Sequence, residues 1–217
     1  MRRFAAGIAA VLLACAASGA WAGPSLIGPS GLVTVPTAEV LGMTEWTVGG
    51  TAFLVSDGPD ANVVYANVGL LPRLELGFAR ADVEGSEAET MLNGKVAVLG
   101  PLPGQVSVAA GVEDITDQVD RSAYVVLSHT LGAGLLMRRG KVTSPQAHVG
   151  GGGGRFDGLF AGLSVTLDGR VALMAEYDGE DVNVGARWPL VANLEATAAA
   201  LDGLEDFAVG LSLTSPW

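Results

Sequence analysis

The chain has 217 residues, of which 23 are acidic, 12 are basic, 31 are glycine and one is cysteine. The formal charge of −11 argues against a nucleic-acid binder, because neutralising phosphates requires clustered lysine and arginine. A single cysteine excludes a disulfide framework and any zinc site built from cysteines. Glycine occurs at roughly twice its usual share of ~7%, which is typical of a β-rich chain with many turns.

Residues 1–22 have the organisation of an export signal. Arginines at positions 2 and 3 precede an apolar stretch, 4–14, that is too short to span a bilayer as a stable helix. The tripeptide at 20–22 fits the small-x-small cleavage pattern. We therefore expect cleavage after Ala22 and a mature chain that starts at Gly23 and contains no cysteine. In an alternative interpretation, residues 12–15 form a lipobox and Cys15 is acylated.

The rest of the chain is expected to form a Gly/Pro-rich entry segment at 23–44 and one domain at 45–217. This part lacks the 18 or more consecutive apolar residues of a transmembrane helix. Apolar residues instead alternate with small or polar ones, as in 105–113, where the even positions carry Val or Ala. Asp-Gly pairs at 168, 178 and 202 are strong hairpin signals between such runs. The pattern predicts about ten to twelve strands, near 45–56, 61–70, 73–82, 90–99, 104–115, 121–131, 145–154, 158–167, 170–177, 181–188, 192–200 and 205–214.

Two architectures share this alternation, a soluble β-sandwich and a membrane barrel whose apolar rows face lipid. The polar rows consist mainly of Gly, Ala, Ser, Thr and Asn, whereas a water-exposed sheet usually carries more Lys and Glu. The clearer segments are also close to the ~9–11 residues that a tilted strand needs to cross hydrocarbon. We therefore predict an all-β antiparallel meander that closes into a transmembrane-type barrel, with the sandwich as the alternative.

The final segment carries a candidate assembly signal. A terminal aromatic residue on an amphipathic last strand resembles the signal by which bacterial outer-membrane barrels are assembled. Outer-membrane lipid and the barrel assembly machinery are then the expected partners. The residues of this candidate signal share one parity and are Phe207, Val209, Leu211, Leu213 and Trp217.

Four segments, at 24–41, 67–80, 156–163 and 174–188, resemble the YjbH-like family of bacterial envelope proteins, which is associated with exopolysaccharide production. The first is similar to a Gly-Pro-rich entry motif (PSLIGPSGLVTVPTAEVL), and the last contains an EYDG hairpin turn. The resemblance implies an outer-membrane β-barrel of a Gram-negative-type bacterium. It also implies exopolysaccharide or its secretion proteins as partners, and it implies no catalytic residues.

Charged residues on the predicted inward rows form a candidate polar network inside the barrel. Glu176 and Arg187 share the inward parity of one predicted hairpin, so we expect them to pair with each other, since buried charges need partners. The same residues are also compatible with the lining of a small polar pore. The candidate network consists of Lys95, Glu113, Glu176, Arg187 and Glu195.

Other candidate chemistry is weak. The glycine run at 150–154, followed by Arg155, fits an anion cradle less well than a tightly packed strand. His129 and His148 lack the spacing and the cysteine partners of a metal site. A Ser-His-acid triad stays open, although the sequence contains no G-x-S-x-G elbow. Acidic groups are expected in solvated loops, with weak calcium binding as an alternative; they are Asp57 and Asp60, then Glu84, Glu87 and Glu89, and then Asp114, Asp117 and Asp120.

The sequence thus predicts a non-enzymatic, YjbH-like outer-membrane barrel without cofactor or metal, serving exopolysaccharide production, exopolysaccharide secretion or envelope structure. The alternative function is that of a soluble periplasmic binding or adhesion module. A barrel enzyme acting on lipid or glycan is a third hypothesis, for which no nucleophile stands out.

Overall fold

The computed structural model describes residues 23–100, 106–131, 143–167 and 170–215. The expected export signal, its cleavage site and Cys15 lie outside the described residues, as does Trp217. Among the described residues, no helix has the length and apolarity needed to span a bilayer.

Twelve antiparallel strands form one closed barrel in which each strand pairs with its neighbours in sequence and β1 pairs with β12. This arrangement confirms the predicted meander, and every predicted strand is present within a few residues of its expected bounds. The strands are β1 Trp46–Leu54, β2 Ala61–Leu71, β3 Leu74–Val83, β4 Glu89–Leu99, β5 Ser107–Glu113, β6 Ser122–Thr130, β7 Thr143–Gly152, β8 Gly158–Leu167, β9 Val171–Tyr177, β10 Val182–Val191, β11 Leu194–Leu201 and β12 Asp206–Thr214.

The apolar rows of the barrel face outward. Leu163 and Val209 are more than half exposed, at 55% and 52%, whereas Ser107 and Ser164 are buried, at 6% and 8%. A large apolar surface around a closed barrel is the arrangement of a protein that meets lipid. The alternative sandwich is wrong, because the strands close on themselves instead of stacking as two sheets.

The glycine-rich strand β7 lets aromatic side chains pack against the inner wall. A methyl group added at Gly150 would overlap the ring of Phe160, which lies opposite on β8. Phe160 in turn packs against Phe156, and Phe156 against Tyr124, each with ring centroids 5.1 Å apart. The glycines therefore serve close packing, as the sequence predicts.

Strand β12 closes the barrel by pairing along its length with both β1 and β11. The four described residues of the candidate assembly signal all lie on its outer face and are exposed: Phe207, Val209, Leu211 and Leu213. Their side chains thus extend the lipid-facing surface across the closing seam.

We expect the change Leu163→Asp to prevent stable insertion, because it places a carboxylate on the outer surface at the middle of β8. The cost at the bilayer midplane should be up to about 2–4 kcal/mol, and lower for an acid than for Arg or Lys. The measurement is heat-modifiable gel migration after folding into lipid vesicles. Leu204→Asp is a matched control, because Leu204 is similarly exposed, at 52%, but lies in the turn between β11 and β12. Equal folding yields for the two variants would contradict a lipid-facing position for Leu163.

Candidate functional site

Residues 23–41, which we call the plug, fill the interior of the barrel. The plug is almost entirely buried, and its Val33 and Val35 have no exposed surface. Its hydrogen-bond partners lie on β2, β3, β4, β6, β9 and β10, on opposite parts of the barrel wall. A segment that contacts all of these strands must lie inside the barrel. The sequence predicts an entry segment at 23–44 but not its location inside the barrel.

The plug is folded by local turns and contains no regular strand. The amide of Leu26 donates to the carbonyl of Val33 at 2.8 Å, and that of Leu32 to the carbonyl of Val35 at 2.9 Å. Gly28 has a φ of 119°, a conformation that favours glycine. Such a segment leaves many main-chain groups unpaired within itself, and these groups need partners from the wall.

Two wall carboxylates accept hydrogen bonds from the plug's amides. Glu176 on β9 binds the amide of Val33 at 2.9 Å and both the amide and the hydroxyl of Thr34 at 2.7 Å. Glu75 on β3 binds the amide of Ser30 at 2.9 Å and that of Leu41 at 3.0 Å. Each carboxylate is therefore stabilised by several N–H and O–H dipoles, although it is buried.

Three wall cations donate to the plug's carbonyl groups. On β4, Lys95 Nζ donates to the Ser30 carbonyl at 2.6 Å and to that of Thr37 at 3.3 Å. On β10, Arg187 donates to the carbonyls of residues 24, 31 and 32. Arg155, in the turn between β7 and β8, donates to the carbonyl of residue 34 at 2.9 Å. The wall thus pairs the plug's donors with acids and its acceptors with bases.

All five residues of the predicted network are buried, but their partners differ from those expected. Glu176 and Arg187 bind different parts of the plug instead of each other. Glu176 lies opposite Asn183 and Arg187 opposite Ala172, so their positions are four residues apart along the hairpin, or roughly 13 Å. Glu113 forms an ion pair with Arg155 at 2.7 Å, and Glu195 has no hydrogen-bond partner.

Two functional residues are not predicted from the sequence, Glu75 and Arg155 in its observed role. Glu75 lies on the same inward row of β3 as Gly77 and Ala79, and this parity was the only available signal. The sequence offers Arg155 only as a weak candidate for anion binding, whereas its guanidinium joins Glu113 to the plug. Nothing in the sequence places Arg155 next to residue 34, which is far away along the chain.

His148 belongs to the same inner wall. Its Nδ1 lies 2.8 Å from the Ser128 hydroxyl and its Nε2 lies 3.3 Å from that of Ser164. The Ser128 hydroxyl also accepts the amide of Ala38 at 2.8 Å. Ser128 is 2% exposed and in contact with the plug, so its hydrogen bond with His148 helps to position the plug against the wall. In the described parts of the chain, no three His, Cys, Asp or Glu residues are grouped to hold a metal ion.

Acidic residues concentrate in the loops at the end of the barrel opposite the start of β1 and the end of β12. Asp114, the first residue of the loop between β5 and β6, binds the Val119 amide at 2.6 Å and the Thr116 hydroxyl at 2.8 Å. Burial acts to raise the pKa of Asp114, but these hydrogen bonds outweigh it and hold the pKa below its ordinary value. Its carboxylate therefore organises the loop, while Asp117 pairs with Arg121 at the surface.

Comparison with known proteins supports the fold. No protein-family model and no curated protein matches the sequence. Among solved structures, the KdgM porin aligns with a TM-score of 0.56 and 8% identity, over 79% of this chain and 99% of that one. A de novo designed transmembrane β-barrel aligns with a TM-score of 0.32 and 10% identity, over 81% and 98% of the two chains. The similarity to the KdgM porin shows that this chain has the fold of an outer-membrane-type β-barrel.

We expect Glu176→Ala to destabilise the folded barrel, because it leaves the buried amides of Val33 and Thr34 without an acceptor. Each unpaired donor should cost roughly 1–3 kcal/mol. The measurement is the temperature at which the heat-modifiable folded band disappears in detergent. Glu180→Ala makes the same change at an exposed turn position nearby and should leave this temperature unchanged. A similar decrease in both variants would contradict the role of Glu176 in holding the plug.

Proposed function

We propose that this protein is a non-enzymatic, YjbH-like outer-membrane barrel that acts in exopolysaccharide production, exopolysaccharide secretion or envelope structure. The plug is the observation that carries the non-enzymatic part. It fills the space in which a barrel would bind a substrate, and it engages the charged wall residues that would otherwise be available for chemistry.

Support for the envelope role comes from two independent features. The outward rows of Val, Leu and Phe form the surface of a barrel that resides in lipid. The residues of the segment that resembles the YjbH-like entry motif, 24–41, are those that fold into the plug. The Gly-Pro-rich composition of this segment suits the local turns by which the plug folds inside the barrel.

The envelope role is tested by deleting the gene in the bacterium that carries it and measuring cell-bound and released exopolysaccharide. We expect the polymer yield to fall and the wild-type gene to restore it. Restoration should fail with Leu163→Asp and succeed with Leu204→Asp, because only the first variant disturbs the lipid-facing surface. An unchanged amount of exopolysaccharide in the deletion strain would contradict the exopolysaccharide role but not the barrel fold.

A second candidate function is that of a gated channel, which one observation favours. The plug is continuous with β1 but adds no strand to the barrel, so it can leave the interior without breaking any pairing between strands. Its release would expose Lys95, Arg187 and the wall carboxylates to water and convert the closed barrel into a polar pore.

Deleting residues 25–41 should therefore produce steady ionic conductance in planar lipid bilayers, whereas the full chain should remain closed. A variant in which only Glu180 is replaced by Ala serves as a control for handling and refolding. If the deletion variant folds, as judged by heat-modifiable migration, and still does not conduct, the channel hypothesis is wrong.

A further inference from the structure

Glu195 on β11 stands out among the charged residues of the barrel interior. It is 2% exposed, and neither of its carboxylate oxygens has a hydrogen-bond partner. The other buried wall acids accept bonds from the plug or from Arg155. A buried carboxylate without partners is strongly unfavourable, so its surroundings should provide a cation or several donors.

The groups around Glu195 are also incompletely paired. Ser212 lies directly opposite Glu195 on β12, with the Tyr65 hydroxyl of β2 close to its own hydroxyl. Arg187 lies on the neighbouring strand β10 opposite Thr197, two residues along β11 from Glu195 and on the same inward row, yet its Nε atom has no partner. Arg187 directs its Nη2 donors to the plug's carbonyls instead. Among the described residues, no group therefore forms a hydrogen bond with either carboxylate oxygen of Glu195.

The beginning of the plug lies at this site. Gly23 is buried, and a methyl group added there would overlap the Arg187 guanidinium. The carbonyl of the next residue, Pro24, accepts a hydrogen bond from the same guanidinium. Arg187 thus contacts the first residues of the plug and lies on the strand next to Glu195.

We propose that removal of the export signal after Ala22 provides the missing group, and that the new α-ammonium of Gly23 binds Glu195. Hydrolysis of the Ala22–Gly23 peptide bond by a signal peptidase adds water and yields a carboxylate on Ala22 and an ammonium on Gly23. An α-amino group has an ordinary pKa of about 7.7–8.0, so it carries a charge and three donors at neutral pH. Before cleavage the same nitrogen is a neutral amide with one donor.

Cleavage after Ala22 would therefore attach the N-terminus of the plug to the barrel wall. In the unprocessed chain the nitrogen of Gly23 is a neutral amide, which cannot form an ion pair with the Glu195 carboxylate. In the mature chain the N-terminus of the plug is anchored by its own charge. The lack of a side chain at Gly23 then has a physical reason, because the Arg187 guanidinium occupies the place where a Cβ would lie.

The test begins with mass spectrometry of the chain isolated from outer membranes, which should show Gly23 as the first residue. Two forms of this mature chain are then folded in detergent, one with a free α-amine and one acetylated at Gly23, each with and without Glu195→Gln. We expect Glu195→Gln to lower the temperature at which the free-amine form loses its folded band by several degrees. In the acetylated form the decrease should be clearly smaller, since the carboxylate has no ammonium to bind and keeps only its neighbours Arg187 and Ser212.

A second readout keeps the test decisive if the variant folds poorly. The Gly23 amine of the folded wild type should react with an amine-acylating reagent at least tenfold more slowly than that of the Glu195→Gln variant. Glu75→Gln is the matched control, because Glu75 binds the plug at Ser30 and Leu41 and should affect both forms equally.

Three results would overturn the proposal. These are a mature N-terminus other than Gly23, an equal effect of Glu195→Gln in the free and acetylated forms, and an N-terminal amine in the folded wild type that reacts as fast as in the unfolded chain. No assay here involves exopolysaccharide or conductance, so failure of the proposed function would leave this test unaffected.

Discussion

The structure depends on one requirement: the interior of a twelve-stranded barrel must be filled, and the main-chain groups that fill it need hydrogen-bond partners. Eight strands enclose a space that side chains alone fill, whereas sixteen to eighteen leave a water channel. Here the inward rows are largely small residues, such as Gly77 and Ala79 on β3, so side chains leave space. The plug fills that space, and its irregular main chain creates the need for partners that the charged wall residues meet.

Wall and plug are consequently dependent on each other. Glu176 and Lys95 are each desolvated and would be costly in an empty or purely apolar interior. The plug's amides and carbonyls would be equally costly against an uncharged wall, because no strand pairing satisfies them. Carboxylates accept hydrogen bonds from the plug's amides, and ammonium and guanidinium groups donate to its carbonyls. Such charge-assisted hydrogen bonds are about twice as strong as neutral ones. The closed interior is thus the state in which both sets of groups are paired.

The sequence predicts the barrel well and its interior poorly, for physical reasons. Twelve strands are readable because each outward row faces one uniform medium, which imposes a period of two along the chain. The plug shows no regular alternation of apolar and polar residues, because its residues contact many different strands. The pairing of Glu176 with Arg187 was expected because both share a parity, but the strand register that separates them is visible only in the structure. The assembly role of Trp217 and the cleavage after Ala22 stay predictions.

The position of the plug also constrains how the barrel closes. The plug precedes β1 in the chain, and β1 must pair with β12, the last of the twelve strands in chain order. The plug contacts β3 and β4 from the first half of the chain and β9 and β10 from the second half. Its full set of bonds therefore exists only when nearly the whole wall is present. Once β1 and β12 have paired, a plug that is still outside must enter through one end of the barrel. Folding of the plug within the sheet as it curves, before the seam closes, avoids this step, and the plug then gains its remaining hydrogen bonds as the later strands β9 and β10 are added.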